Sequence, residues 1–507
     1  MPDPTYVCIA AVRIQQWISR TPRLVLSRGA SRALAEKTGD DRLRRLLADR
    51  PLAGGVRLAD DAPDVDGVIV LRVDDPEPTT VRAVADWLRR AVADELPGVE
   101  WKAWAHQATS YAIAKAAADQ GLTSHGEWHF PPTELDVPFA NACDGCRHEY
   151  AVETTKLPGE NTDVALGPDC LDRLASSARL TNAPRGMTFD DLARTGGVAS
   201  EEAVPQTVGR RAANNHLATI AADGNRVGAV FEHLARMSSS PFVHQGDETT
   251  VQAALSALLE RATRDAVANA GCVGDPDAKY PSAIVHLVGG DDVLASVGAR
   301  FAWEYVTALL TKFDEVFKSG LAALVEAAKG SGALNDAEAD EVTKLGDGVS
   351  LGVGIAFANR THPFADCADM AHRALSQAKA SGRGAAAVSW VDLTVEASVP
   401  PGRFAWPDQL GDDLPTARMT SSARTTLEAI LRDRWPVSLS TLNSDHDVDQ
   451  LTALWEDVKR WCVRTDNAKV LSGREPAGAE QLAEALIGLR SDLDRARWWP
   501  KQGRSGL

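Results

Sequence analysis

The chain has 507 residues, 44% of them hydrophobic, and a formal net charge of −16 with histidine uncharged. That length implies about three or four domains at roughly 100–200 residues each, and no run is long and apolar enough for a bilayer helix, which needs about 20 residues. The charge disfavours a free-standing nucleic-acid binder, because such binding relies on cationic contacts to phosphates. Seven cysteines, an odd number, disfavour a disulfide scaffold and point to a reducing compartment, the cytoplasm. The opening Met1-Pro2-Asp3-Pro4 lacks the basic flank and cleavage site of a secretory signal.

In chain order, Tyr6–Val12 reads as a strand, followed by helical spacing in Ile14–Ile18 and Leu24–Leu34. Strand candidates Gly55–Leu58 and Gly67–Val73, a helix over Thr80–Leu96 and a strand at Trp101–Ala105 complete a βαββαβ set. Asp60-Asp61 lies near the hairpin of that set without a glycine pair, so this region reads as structural. Next come Cys143-Asp-Gly-Cys146 and, after Gly167-Pro-Asp, Cys170. Thiolates so spaced can grip one Zn²⁺, with a distant second knuckle closing a tetrahedral site. The fourth ligand is His148 or Asp169, or the site is degenerate and empty; its role is structural in either case. Three cysteines plus water would also suit an open catalytic site, but no base-bearing motif stands near them.

His216–Asp223 is an apolar strand ending in an acid, with helical spacing in Ala229–Ala235 beyond it. Ala283–Ala295 holds two apolar strands joined at Gly289-Gly290-Asp291-Asp292, a hairpin with adjacent carboxylates at its tip. An ordinary acidic turn is one reading. The other is a Mg²⁺ site, since that ion is held by a few carboxylates plus substrate phosphate oxygens. Polymerases and nucleotide cyclases need such a site to activate a hydroxyl and stabilise leaving pyrophosphate. In a palm domain the first strand lies beside the hairpin, so Asp223 would face Asp291 and Asp292. Val349–Phe357 is a further strand, Pro363 opens a helix running to Lys379 with Gly382 as its stop, and Ala386–Val391 closes the unit.

Val399-Pro-Pro401 reads as a linker, and three-four spacing continues helically from about Pro407 to Leu507, punctuated by Pro436 and Pro476. The local basic groups are Arg42-Leu-Arg-Arg45, Arg210-Arg211, and Arg495, Arg497, Lys501 and Arg504; solvated helix faces explain most of them. His446-Asp447 is the only His-Asp dipeptide and reads as a turn in a polar loop.

Four blocks occur in order: Asp223-Gly-Asn-Arg-Val-Gly228, Gly289-Gly-Asp-Asp292, Ser350-Leu-Gly-Val-Gly-Ile355, and His362-Pro363 leading to Ala374-Leu-Ser-Gln-Ala-Lys379-Ala-Ser-Gly-Arg383. Together they resemble the large polymerase-like subunit of type III CRISPR effector complexes and, more distantly, GGDEF diguanylate cyclases. The opening strand, Gln15-Gln16-Trp17-Ile18 and Gly29-Ala30-Ser31 are similar to the first palm of that subunit. The resemblance implies an α+β chain with two ferredoxin-like palms: residues 1–120 non-catalytic, and 206–398 carrying the Gly-Gly-Asp-Asp hairpin. Between them, 121–205 would hold a linker and zinc-finger-like module, and 399–507 a helical domain that contacts small helical subunits and the guide–target duplex.

It further implies a cytoplasmic antiviral-defence subunit that binds ATP with Mg²⁺ or Mn²⁺ and joins a 3′-hydroxyl to an α-phosphate. The product would be cyclic oligoadenylate, made when the complex of effector subunits and guide RNA binds target RNA. Asp223 and Asp291 would ligate the metal with Asp292 as companion, Gly289 and Gly290 would leave room for nucleotide, and Ser350 would hydrogen-bond a base or ribose. Lys379 and Arg383 would hold the triphosphate, or else form a helix-end cation pair favoured by the dipole. The chain departs from the family in three ways. Asn225 stands where an acid is common, Gly167 stands where a second Cys-x-x-Cys would begin, and no HD nuclease motif precedes the first palm. A stand-alone cyclic dinucleotide synthase and a non-catalytic ribonucleoprotein scaffold are the alternative readings.

Overall fold

The computed structural model describes residues 3–49, 52–62, 66–75, 77–132, 141–180, 186–194, 215–234, 242–245, 247–274, 280–382, 384–394, 404–410, 414–433, 445–476, 478–496 and 498. Arg210, Arg211, Arg383, Val399, Pro400, Pro401, Pro436, Arg497, Lys501 and Arg504 lie outside the described residues.

The N-terminal sheet is antiparallel, built from β1 (Thr5–Val12), β2 (Val56–Leu58), β3 (Val68–Val73), β4 (Glu100–Gln107) and β5 (Gly126–Phe130) in the order β2-β3-β1-β4-β5. Its first four strands keep the 2-3-1-4 order of a ferredoxin-like unit. Alternation along β1 decides the two faces. Val7 and Ile9 enter one core, with side chains of α2 (Leu24–Thr38) and α4 (Pro78–Leu88). Tyr6 and Cys8 enter another, beneath Tyr111 and Ala114 of α5 (Tyr111–Asp119). Pro78 sits at the start of α4, where its missing N–H costs nothing. The helix expected over Thr80–Leu96 is α4 followed by a wider π-turn at Arg89–Ala93. The short α1 (Ile14–Ser19) and α3 (Asp40–Asp49) flank α2.

A small module follows, with the hairpin β6 (Glu153–Lys156) and β7 (Asp163–Leu166), α6 (Pro168–Ser177) and α7 (Phe189–Arg194). The second large sheet uses β8 (His216–Asn225), then, after the small β9 (Phe242–His244) and β10 (Asp247–Thr249) pair, β11 (Ala283–Gly289) and β12 (Asp292–Gly298). It is completed by β13 (Ser350–Asn359), β14 (Ala387–Asp392) and β15 (Phe404–Ala405), in the order β11-β12-β8-β13-β14-β15. The same 2-3-1-4 arrangement recurs in β11-β12-β8-β13. β14 joins parallel to β13 after the helix Phe364–Gly382, and β15 carries the sheet to residue 405.

Ala218, Ile220 and Ala222 of β8 pack under the helices Val251–Ala270 and Ala302–Gly330. On the other face, Ala221, Leu294 and Ala356 belong to the core that also holds Val7, Ile9 and Trp101. The two large sheets therefore share one core, with side chains such as Ala33 and Ala371 of the helices Leu24–Thr38 and Phe364–Gly382 also within it.

The C-terminal helices Ser421–Asp433, Asp445–Arg464 and Ala479–Ala496 close around Leu427, Leu431, Trp455, Val458, Trp461, Leu486 and Leu489. His446-Asp447 falls in the first turn of the second of these, not in a loop; acidic residues suit a helix start. Trp498 stacks on Phe357 at 5.1 Å and donates from Nε1 to Asp392 Oδ2 at 3.1 Å, tying this region to β13 and β14. Among the described residues no helix is long and apolar enough to cross a membrane.

Candidate functional site

The acidic hairpin is closed by the pair Gly289↔Asp292, leaving Gly290 and Asp291 as a two-residue turn. Gly290 has φ +61°, the positive angle that a II′-type turn demands at its first position and that glycine supplies without strain. Because Val293 pairs with Ala222, Asp292 stands next to Asp223 across the strands, and the period of two puts both carboxylates on one face. The turn carries Asp291 against Gly224, where an added Cβ would overlap Asp291 Oδ2 and Val227.

Asp291 and Asp292, beside Asp223, resist ionisation. Burial and then the charge of Asp223 raise the pKa of Asp291. Burial, followed by Asp223 and Asp291, pushes Asp292 up to about 7, with Lys379 acting the other way. Lys379, from the helix Phe364–Gly382, forms an ion pair with Asp223 and donates to the carbonyl of Gly224 at 3.0 Å. Asn225 is buried; its Nδ2 donates to Ser350 Oγ at 3.1 Å and to the Ala385 carbonyl at 3.0 Å. Ser350 donates in turn to the Gly384 carbonyl at 3.5 Å. Ser350 thus ties Asn225, at the end of β8, to the start of β13, and its hydroxyl is already engaged.

The hairpin opens on a cavity of about 770 Å³. Gly289, Gly290, Asp291 and Asp292 form one side, while Asp61, Tyr111 and Lys115 of the N-terminal unit form the opposite wall. An added Cβ at Gly289 or Gly290 would meet nothing within 4 Å, so both glycines face open space. Asp61 accepts from the Tyr6 hydroxyl at 2.9 Å and from the Tyr111 backbone N–H at 2.8 Å, which locks the start of α5 into that wall. Asp223, Ser350 and Lys379 stand beside the cavity and do not line it. Asp61 is legible in the sequence as part of Asp60-Asp61; Tyr111 and Lys115 are not. The only available signal was Ser110, which caps α5 by accepting from Ile113 N–H.

Hard carboxylate oxygens beside a roomy cleft fit a magnesium ion that takes its remaining ligands from phosphate and water. Among the described residues, the one set of three or more histidine, cysteine or carboxylate donors meeting within 4.8 Å lies elsewhere. Asp291 and Asp292 are therefore each coupled to Asp223, which Lys379 engages, rather than forming a closed cage.

That other set is Cys143, Cys146, Cys170 and Glu149. Backbone N–H groups of Gly145 and His148 point at Cys143 Sγ (3.3 Å) and Cys146 Sγ (3.5 Å). The thiols of Cys146 and Cys170 donate to Cys143 and lower its pKa, while the same contacts push Cys146 up to about 11 and raise Cys170. A soft divalent ion would relieve that competition, so three thiols and one carboxylate fit zinc. Neither expected fourth ligand is in the set. Arg147 turns left-handed at φ +64°, leaving His148 exposed and bringing Glu149 inward. Asp169 is buried and taken up by Arg20, by Arg173 Nε at 2.8 Å and by Trp17 Nε1 at 3.1 Å.

The topology and the acidic hairpin together define a palm-like domain within an α+β chain. Residues 216–387 match the family model described as Cas10/Cmr2, second palm domain. Residues 216–387 are thus similar to a Cas10-type palm, and the chain as a whole shares its fold with a Csm1 subunit. No curated protein matches it in sequence. A crystal structure of an apo Csm1–Csm4 cassette superposes with a TM-score of 0.51 at 13% identity, covering 98% of this chain and 70% of that one. Csm1 from T. onnurineus gives 0.49 at 14% identity, covering 99% and 70%. A Csm1–Csm4 cassette in complex with AMPPNP gives 0.48 at 13%, covering 96% and 70%. At such identities the likeness speaks to the fold, and the apo cassette carries that comparison.

Proposed function

We propose that this chain is a nucleotidyltransferase that makes cyclic oligoadenylate from ATP as a subunit of a guide-RNA effector complex in antiviral defence, triggered by target RNA. The observation that carries the proposal is the Asp291–Asp292 hairpin, electrostatically coupled to Asp223, at the mouth of the cavity between two like-ordered sheets. The match of residues 216–387 to a Cas10/Cmr2 palm supports it. Asp223, Asp291 and Asp292 would hold Mg²⁺ or Mn²⁺, which supplies activation of the attacking hydroxyl and charge neutralisation at the pyrophosphate. Gly289 and Gly290 keep the approach clear. Lys379 is placed to exchange Asp223 for a phosphate oxygen once a cation takes its place there, and Arg383 is proposed to assist it. Ser350 and Asn225 hold the end of β8, and so Asp223, in register with the hairpin. In the reaction a 3′-oxygen bonds to Pα as the bond from Pα to the bridging β-phosphate oxygen breaks.

One observation favours a second reading, a nucleotide-binding scaffold without turnover: Asp223 is already neutralised by Lys379, and its neighbour Asn225 brings no charge. Mass spectrometry decides between them. Protein purified natively with its guide RNA is given target RNA, ATP, GTP and Mg²⁺ or Mn²⁺, beside an Asp291→Ala/Asp292→Ala variant. The expected result is cyclic oligoadenylate from the wild type and none from the variant. Equal synthesis by both would refute the site, a guanine-containing product would refute the substrate, and an inert wild type shown to contain guide and target RNA would favour the scaffold.

A further inference from the structure

The second knuckle of the cysteine module, Gly167-Pro168-Asp169-Cys170, has the spacing of Cys143-Asp-Gly-Cys146 with glycine in place of its first cysteine. A tetrahedral zinc site needs four protein donors to be closed. In this structure a Cβ at Gly167 would fall on Glu149 Cγ and Cδ, and at 2.6 Å on the Tyr150 carbonyl oxygen. The Glu149 side chain therefore fills the space into which a side chain at 167 would extend. Its carboxylate lies within 4.8 Å of all three sulfurs, and Glu149 Oε1 is 3.7 Å from Cys146 Sγ. With Zn–S near 2.3 Å and Zn–O near 2.0–2.2 Å, a tetrahedral edge from sulfur to oxygen is about 3.5 Å.

We infer that Glu149 is the fourth ligand of a Cys₃Glu zinc site, standing in for the absent thiolate at position 167, and that glycine at 167 is what makes room for it. The site is independent of nucleotide turnover in the palm. Three thiolates, one carboxylate and Zn²⁺ leave two negative charges, and Arg20, just past α1, and Arg173 of α6 flank the cluster through Asp169. A cavity of about 490 Å³ bordered by Arg20, Arg23, Asp144 and Cys146 offers the ion a way in. Glu149 has a second duty at the start of α6, accepting from Asp169 N–H at 3.0 Å and Cys170 N–H at 3.1 Å. A carboxylate with about four lone-pair positions can serve both the helix and the metal.

The test uses the full chain, with metal content measured after purification and Co²⁺ as the spectroscopic probe. Wild type should hold one metal per chain, with cobalt charge-transfer intensity for three thiolates. Glu149→Gln keeps an acceptor for the helix but removes the anionic donor; its zinc affinity should fall at least about tenfold, the lower end of what even indirect disturbance of a metal site costs. Gly167→Cys should gain nothing, because its side chain meets both Glu149 and the Tyr150 carbonyl. Glu149→Asp keeps the anionic donor and should retain zinc more tightly than Glu149→Gln, with the three-thiolate cobalt intensity preserved. That difference separates lost ligation from lost folding. A metal-free wild type that takes up no Co²⁺, an unchanged Glu149→Gln variant, or a Glu149→Asp variant no better than Glu149→Gln would each overturn the assignment.

Discussion

Asp292→Asn should stabilise the metal-free protein, and by an amount that grows with pH. In the folded chain Asp292 is pushed from its ordinary 3.8 up to about 7, first by burial and then by Asp223 and Asp291. An acid whose folded pKa is the higher one favours folding while protonated. That stability is complete below pH 3.8, is lost as pH rises toward about 7, and is absent above it. At about 1.4 kcal/mol per pKa unit the whole interval is worth about 4 kcal/mol; water in the open cleft screens part of it, leaving about 2–4 kcal/mol. The amide has nearly the same shape and never ionises. Urea melts of both proteins at pH 4, 6 and 8, without divalent metal, should give near-equal stability at the lowest pH and the full gain at the highest. Added Mg²⁺ should raise the wild-type midpoint and narrow the difference. Equal stability at pH 8, or a gain independent of pH, would refute the electrostatic account. A site that destabilises its own fold is expected where function requires the charges.

Two further predictions concern the frame around the hairpin. Gly224→Ala forces a methyl against Asp291 and Val227; overpacking of this kind costs about 1–3 kcal/mol, and displacement of Asp291 should abolish Mg²⁺-dependent stabilisation in the same melts. His286 is wholly buried, hydrogen-bonded to Ser27 Oγ (3.1 Å) and Ser296 Oγ (2.8 Å), and driven down to about 3 by burial and then by Arg28. A base whose folded pKa is depressed gives stability that is full above about 6.5 and is lost as pH falls toward 3. His286→Gln should flatten that acid limb by several kcal/mol, read as the difference between the two melting series; parallel curves would count against a neutral buried imidazole.

Local chemistry made the hairpin legible. Two apolar runs around Gly289-Gly290-Asp291-Asp292 permit few conformations, and the order of blocks placed Asp223 beside them before any coordinates. What stayed hidden depends on contacts across long stretches of chain. Lys379 meets Asp223 from 156 residues away, and Trp17 donates to Asp169 from 152 residues away. Gln16-Trp17-Ile18 could be noticed, but not that Trp17 lies under Arg173 at 4.3 Å and pins the cysteine module. Glu149 was missed by one position, because the left-handed turn at Arg147 reverses which of two neighbours faces inward. β5, Gly126–Phe130, escaped because an edge strand with alternating half-exposed residues carries little apolar signal.

The N-terminal unit lacks the Gly-Gly-Asp-Asp hairpin, yet the structure gives it two duties that explain why the chain carries it. It supplies the cavity wall through Asp61, Tyr111 and Lys115. It also fixes the hairpin itself: β11 shifts register between Val285 and Leu287, the irregularity sets His286 against Ser27 of α2, and Phe364 closes over the imidazole at 4.6 Å. Bulges re-aim a strand, and this one is pinned by a neighbouring domain three residues before Gly289. The shared core through Leu287 and Leu294 extends the same contact. The frame that holds Asp291 and Asp292 therefore draws on both sheets together, with Ser27 on the buried His286 ring as one contact between them.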